Sequence, residues 1–216
     1  MFYLNLFLEF FALGTGLLLF NTLQPHSYRW FVFLLLVTVT NEAFAYWGVY
    51  ESVQISKNYF YSGFFFLQSV ILWRLFLDAF EKNTYKNLLN LLSIFYILCM
   101  LTSLIIGGAQ KLNPGFKNFV CLHVISIGLL YYYYLYNSNK IINFQRESFF
   151  WLATGIILVN FINIFFVNAI FIKSFVLNPN SKIIYKVLNT FGNVVYYSLI
   201  TYTLICSSKF RKQVTT

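Results

Sequence analysis

The stretch Thr38-Val39-Thr40-Asn41-Glu42-Ala43-Phe44-Ala45-Tyr46-Trp47 sets a carboxylate, Glu42, inside an apolar run long enough to cross a bilayer. An ionisable side chain at mid-membrane stands about 2.5 kcal/mol or more uphill on insertion scales, so Glu42 requires a partner, a proton or a wet cavity. Most of the remaining chain reads as apolar helix built around a few polar insertions of this kind.

Composition supports that reading. Of 216 residues, 59% are hydrophobic and 10% charged, with a mean hydropathy of +0.68. Soluble domains carry about 25% charged residues, and a soluble fold of this length could not hide so much apolar surface. The net charge is +9, from 15 Lys and Arg against 6 Asp and Glu. The basic residues are scattered singly among apolar segments, which argues against nucleic acid and for cations placed at helix ends near anionic headgroups. The lipid bilayer is therefore the expected partner. Cys99, Cys121 and Cys206 lie far apart in or beside apolar runs and form no C-x-x-C, so they read as small unpaired packing residues. Phe2-Tyr3-Leu4 follow Met1 with no basic n-region, and no A-x-A site follows, so the first segment is expected to stay as a helix.

Seven apolar runs are expected to form a single all-α transmembrane bundle over 1–216, with helices at about 2–22, 30–50, 59–80, 88–108, 119–136, 149–177 and 183–206. Barrel strands would alternate apolar and polar over about 10 residues, and these runs are continuous and about twice as long. Asn113-Pro114-Gly115 and Asn178-Pro179-Asn180 read as turns between helices. The aromatics Trp30, Tyr131 to Tyr134 and Trp151 fit interfacial belts. One face of the bundle carries Arg29, Lys82, Lys86, Lys140, Arg146, Lys209, Arg211 and Lys212, and the other carries Lys57, Lys111, Lys117, Lys173, Lys182 and Lys186. That bias places the N-terminus outside and the C-terminus in the cytoplasm. Arg74 and Asp78, at i and i+4, read as a local pair with the arginine snorkelling to the headgroups.

The polar insertions fall at related depths. At about 1.5 Å per residue, Glu9 and Glu42 both come near the midplane, with Gln68 central in the third helix. Asn160 and Asn163 share a face of the sixth helix, and Asn189 and Asn193 share a face of the seventh, with Tyr196 and Tyr197 beyond. His123 lies near the outer end of the fifth. Glu42, Glu9, Gln68, Asn160, Asn163, Asn189, Asn193 and His123 are therefore the candidate lining of one ligand or ion cavity in the outer half of the bundle. The alternative is that each amide bonds a neighbouring helix, worth about 0.6 kcal/mol on average. No G-x-S-x-G, H-E-x-x-H or Glu-Glu pair occurs, and two histidines are too few for an intramembrane zinc hydrolase. No catalytic motif is found, and no metal or cofactor is expected.

Thr40-Asn41-Glu42, Asn58-Tyr59, Trp73-Arg74-Leu75-Phe76, Phe150-Trp151-Leu152-Ala153-Thr154-Gly155, Leu188-Asn189 and Val195-Tyr196-Tyr197 resemble a loose group of small, largely uncharacterised seven-helix inner-membrane proteins of Gram-negative bacteria. Where that pattern would place a second acid in the third helix, this chain has Gln68. The resemblance implies an inner-membrane, multi-pass protein, and some members look like partners of sensor kinases. The residues leave four functions as expectations: a non-enzymatic sensing or accessory component that binds a small molecule and meets a signalling partner; a small proton- or cation-coupled transporter or channel using Glu42; an intramembrane enzyme acting on lipid; or a purely structural role. Reporter fusions at Thr216 test the orientation: green fluorescence without alkaline phosphatase activity is expected, and the reverse pattern contradicts it.

Overall fold

A computed structural model describes residues 2–52, 57–108, 113–138, 143–170 and 179–209. Among these, the chain is all-helical with no strand. The long helices are α1 (Phe2–Leu19), α2 (Tyr28–Tyr46), α3 (Lys57–Leu77), α4 (Asn83–Gly107), α5 (Pro114–Tyr136), α6 (Ser148–Ile170) and α7 (Pro179–Lys209), with one short helical turn at Val49–Ser52. The expected continuation of the sixth helix over 171–177 and the basic residues Arg211 and Lys212 lie outside the described residues.

The boundaries depart from the expected ones for identifiable reasons. The second helix does not run to residue 50; it ends at Tyr46, and Gly48 then takes a positive φ of 67°, a backbone conformation that glycine adopts without a Cβ penalty. The fifth begins at Pro114, not at 119. Asn113 is its N-cap, its side chain accepting the Phe116 N–H at 3.3 Å, and Pro114 stands where a missing N–H costs nothing. Pro179 likewise opens α7. Asn113-Pro114, read as part of a turn, is a helix start, because the same residues serve either purpose; Asn178 lies outside the described residues. Apolar windows also miss polar first turns, so α4 starts at Asn83, five residues before the expected 88.

Four helical segments are long and apolar enough to cross a membrane: Asn58–Leu77, Asn83–Gly107, Pro114–Tyr136 and Ser148–Phe165. Seven were expected. Among the described residues, the apolar stretch counted in α1 is Leu4–Leu19, while α2 and α7 carry polar residues that dilute their hydropathy.

The helices pack in a closed ring in the order α1, α2, α3, α5, α6, α7 and back to α1, with α4 outside, against α5 and α3. α4 accordingly exposes Leu91, Phe95 and Leu98 on a largely apolar outer surface. At one end of the ring an aromatic cluster fills the axis. Phe149 packs on Tyr28 and Phe76 at 5.2 and 5.6 Å between centroids, and Phe80 packs on Tyr134 at 5.3 Å. Tyr28 donates to Ser148 Oγ at 3.1 Å and Tyr131 to Glu147 Oε1 at 3.1 Å. The four-tyrosine run is thus no belt. Successive helical residues point about 100° apart, so Tyr131 and Tyr134 are buried in the core, Tyr132 bonds Thr154 on α6, and Tyr133 is exposed. Trp30, by contrast, is exposed, as a belt residue would be. Arg74 and Asp78 form the expected exposed pair at 3.1 Å, and Cys99, Cys121 and Cys206 are free.

Small residues set the closest helix approaches. A Cβ added to Gly128 on α5 would come within 2.7 Å of Ile157 Cγ1 on α6. Gly128→Leu is expected to destabilise the bundle by about 1–3 kcal/mol through overpacking. Gly14→Leu, where a Cβ meets nothing within 4 Å, serves as the control; equal thermal unfolding of the two variants in one detergent would contradict this packing.

Candidate functional site

Glu9, Glu42, Gln68, Asn160, Asn163, Asn189 and Asn193 line one cavity of about 410 Å³. The lining comes from all six helices of the ring and from none of α4. On α2, α3, α5 and α6 the polar lining lies toward the ends that lead into the 47–57, 108–113 and 170–179 connections. The cavity therefore occupies the half of the bundle opposite the aromatic cluster, where Phe31, Leu34 and Leu35 form part of its wall.

His123 is not part of it. The ring of His123 is fully buried on the outward face of α5, bonded through Nε2 to Ser93 Oγ of α4 at 3.0 Å and stacked near Tyr96. It belongs to the α4–α5 seam. Depth alone nominated it, and depth does not tell which face of a helix meets the axis. Glu42 is also shallower than expected. With α2 ending at Tyr46, it stands four residues from the helix end, or about 6 Å along the axis.

The two carboxyls line the same cavity. Each has a tyrosine donor. Tyr61 on α3 donates to Glu42 Oε1 at 3.1 Å, and Tyr197 on α7 bonds the Glu9 carboxyl. Glu9 is 6% exposed, and its Oε2 meets no hydrogen-bond donor among the described residues. Tyr196 pairs with Gln68. Asn160 turns its amide back to the Ile156 carbonyl at 2.7 Å, a local bond that holds the side chain on its own helix.

Lys117 and Tyr61 line the cavity and do not stand out in the sequence. Lys117, assigned to a loop, sits in the first turn of α5 and lines the cavity, its ammonium 5.6 Å from the centroid of the Phe65 ring. The N-cap signal at Asn113-Pro114 would have placed it inside the helix. Tyr61 lies seven residues before Gln68, two helical turns along one face. Cys121, one turn after Lys117, also lines the wall. No cluster of three or more His, Cys, Asp or Glu suited to a metal occurs among the described residues.

Chemically, the site offers two carboxyls, one ammonium, tyrosine hydroxyls and several amides inside an apolar frame. Cavities of this size accept small molecules, with few polar groups fixing orientation. Comparison with family models, curated proteins and solved structures finds no match for the chain.

The Tyr61–Glu42 bond generates a test. Glu42→Gln keeps an acceptor for Tyr61 and is expected to unfold at the wild-type temperature. Glu42→Leu strands the hydroxyl and is expected to cost about 1–3 kcal/mol. Indistinguishable unfolding of the two variants would contradict the bond.

Proposed function

We propose that the chain is a multi-pass inner-membrane protein that binds a small polar ligand in the ring cavity and acts as a non-enzymatic sensing or accessory component. The observation that carries this reading is the convergence of polar side chains from all six ring helices on one partly enclosed space. Amides used only as helix glue would be spent in pairs along the seams, as the Asn118–Asn168 pair is at 3.0 Å. The aromatic packing at the far end of the ring leaves the cavity with a floor, which suits a receptor pocket better than a pore. In the orientation proposed here, with the N-terminus outside and the C-terminus cytoplasmic, the cavity faces outward and the end of α7 faces a cytoplasmic or membrane signalling partner.

A second reading, a proton- or cation-coupled carrier using Glu42, is favoured by one observation: two carboxyls, Glu9 and Glu42, line the same cavity. Carriers place such groups where they can exchange with a substrate.

The test is a thermal-shift screen of the purified full-length protein in nanodiscs against sugars, polyols, amino acids, quaternary amines and inorganic cations. At least one solute is expected to raise the unfolding temperature of wild type, and Glu42→Gln and Asn193→Leu are expected to lose that shift. Shifts that survive both substitutions would overturn the reading. Uptake of the same solute into proteoliposomes, driven by a pH gradient and absent in Glu42→Gln, would select the carrier.

A further inference from the structure

We infer that the ring cavity is built for a small amino-acid-like zwitterion, with its ammonium held by Glu9 and Glu42 and its carboxylate held by Lys117. This rests on the cavity being a ligand site, and it names the ligand's class.

Glu9 is on α1 and Glu42 on α2, and Lys117 is on α5. In the ring order, α1 and α5 are three helices apart in either direction, so they face each other across the axis. Neighbouring helices pack about 8–10 Å apart, which sets opposite axes of a six-membered ring at about 16–20 Å. Side chains reaching inward from both walls leave a gap of small-molecule size. The charges do not close that gap themselves. Among the described residues, the ion pair within 4 Å is Arg74–Asp78, not one between Lys117 and either glutamate. The cavity therefore holds two carboxyls on one wall and an amine on the other, which a doubly charged ligand would draw out as a negative and a positive pole.

Separated poles in an apolar frame are costly. A buried charge without a partner loses hydration that nothing replaces, and truncating one member of a buried pair leaves the other at that cost. A simple cation would satisfy the glutamates and leave Lys117 unanswered; a simple anion would do the opposite. A ligand that carries both charges, a short distance apart, answers both poles at once.

The hydrogen-bond inventory points the same way. Each carboxyl receives one tyrosine hydroxyl, from Tyr197 and Tyr61. The Oε2 of Glu9, on a side chain more than nine-tenths buried, still lacks a donor among the described residues. An ammonium has three N–H donors and no acceptor, which is the missing complement. At the other pole, the face of Phe65 holds the Lys117 ammonium by a cation–π contact without neutralising it, leaving its N–H donors for a carboxylate. Asn163 and Asn193, on the α6–α7 side of the cavity, offer both donors and acceptors to the ligand's remaining polar groups.

The experiment compares matched ligands on one protein. Full-length protein in nanodiscs is titrated with the proteinogenic L-amino acids, with their carboxamides, which keep only the positive charge, and with their N-acetyl derivatives, which keep only the negative one. At least one amino acid is expected to bind, with each blocked form weaker by at least about 30-fold. Lys117→Gln is expected to erase the difference between the amino acid and its amide, and Glu9→Gln the difference between the amino acid and its N-acetyl form. The comparison of ligands on wild type stands even if a variant fails to fold. Amides that bind as tightly as their parents, or no binding by any amino acid, overturn the inference. If a sugar or a bare cation binds instead and Asn193→Leu abolishes it, the cavity remains a ligand site and only the zwitterion is lost. Binding of any solute that survives Glu42→Gln and Asn193→Leu removes the cavity reading as well.

Discussion

Polar groups on an otherwise apolar helix must find partners away from hydrocarbon, and the architecture follows from that constraint. Glu9, Glu42, Gln68 and the asparagines of α6 and α7 cannot face lipid without cost. Six helices turn these residues to a common axis, and the ring closes around them. α4 carries no residue of the cavity, and it stays outside the ring. Helix composition thus matches position: the helices that fall short of span-like apolarity, α2 and α7, are among those that supply the polar lining, while α4 is long, apolar and peripheral.

The two ends of the ring divide the work. At one end Tyr28, Phe76, Phe80, Tyr131, Tyr134 and Phe149 fill the axis, with the Tyr28 and Tyr131 hydroxyls donating to Ser148 and Glu147. Offset and edge-to-face aromatic contacts of this kind contribute about 0.5–1.5 kcal/mol each beyond burial. Glycine at 128 lets α5 and α6 approach there. With little hydrophobic driving force between helices in lipid, close packing and interhelical hydrogen bonds carry association, and this end supplies both. The other end can then remain open around the polar side chains of the cavity, because the ring is already held together below it.

Much of this was legible in the sequence, and what was not has specific causes. The helical class, the positions of the long helices and the i, i+4 pair Arg74–Asp78 follow from period and length. Glu9, Glu42, Gln68, Asn160, Asn163, Asn189 and Asn193 stand out because polar residues in apolar runs are conspicuous, and depth arithmetic groups them. His123 stood out by the same criterion and lies elsewhere, because rotation about the helix axis, not depth, decides which seam a residue meets. Lys117 was hidden by the opposite problem: a lysine at the edge of an apolar run looks like a loop residue until Asn113 and Pro114 are read as cap and first turn. The tyrosine run misled for the reason that a string of like residues cannot share one face of a helix. Ring order is a tertiary property, and no local pattern in α1 or α5 announces that Glu9 and Lys117 stand across from each other.

The central claim is that the axis of the ring is an aqueous cavity within the membrane. Cysteine accessibility tests it most directly, in a background where Cys99, Cys121 and Cys206 are replaced by alanine. Asn163 lines the cavity, while Phe161, two residues away on the same helix, is 70% exposed on the outer surface. In sealed vesicles of either orientation, a membrane-impermeant charged thiol reagent is predicted to modify Asn163→Cys and Asn193→Cys from one side only and to leave Phe161→Cys unmodified. Labelling of Phe161→Cys with Asn163→Cys protected would contradict the account, because the polar face of α6 would then not meet water.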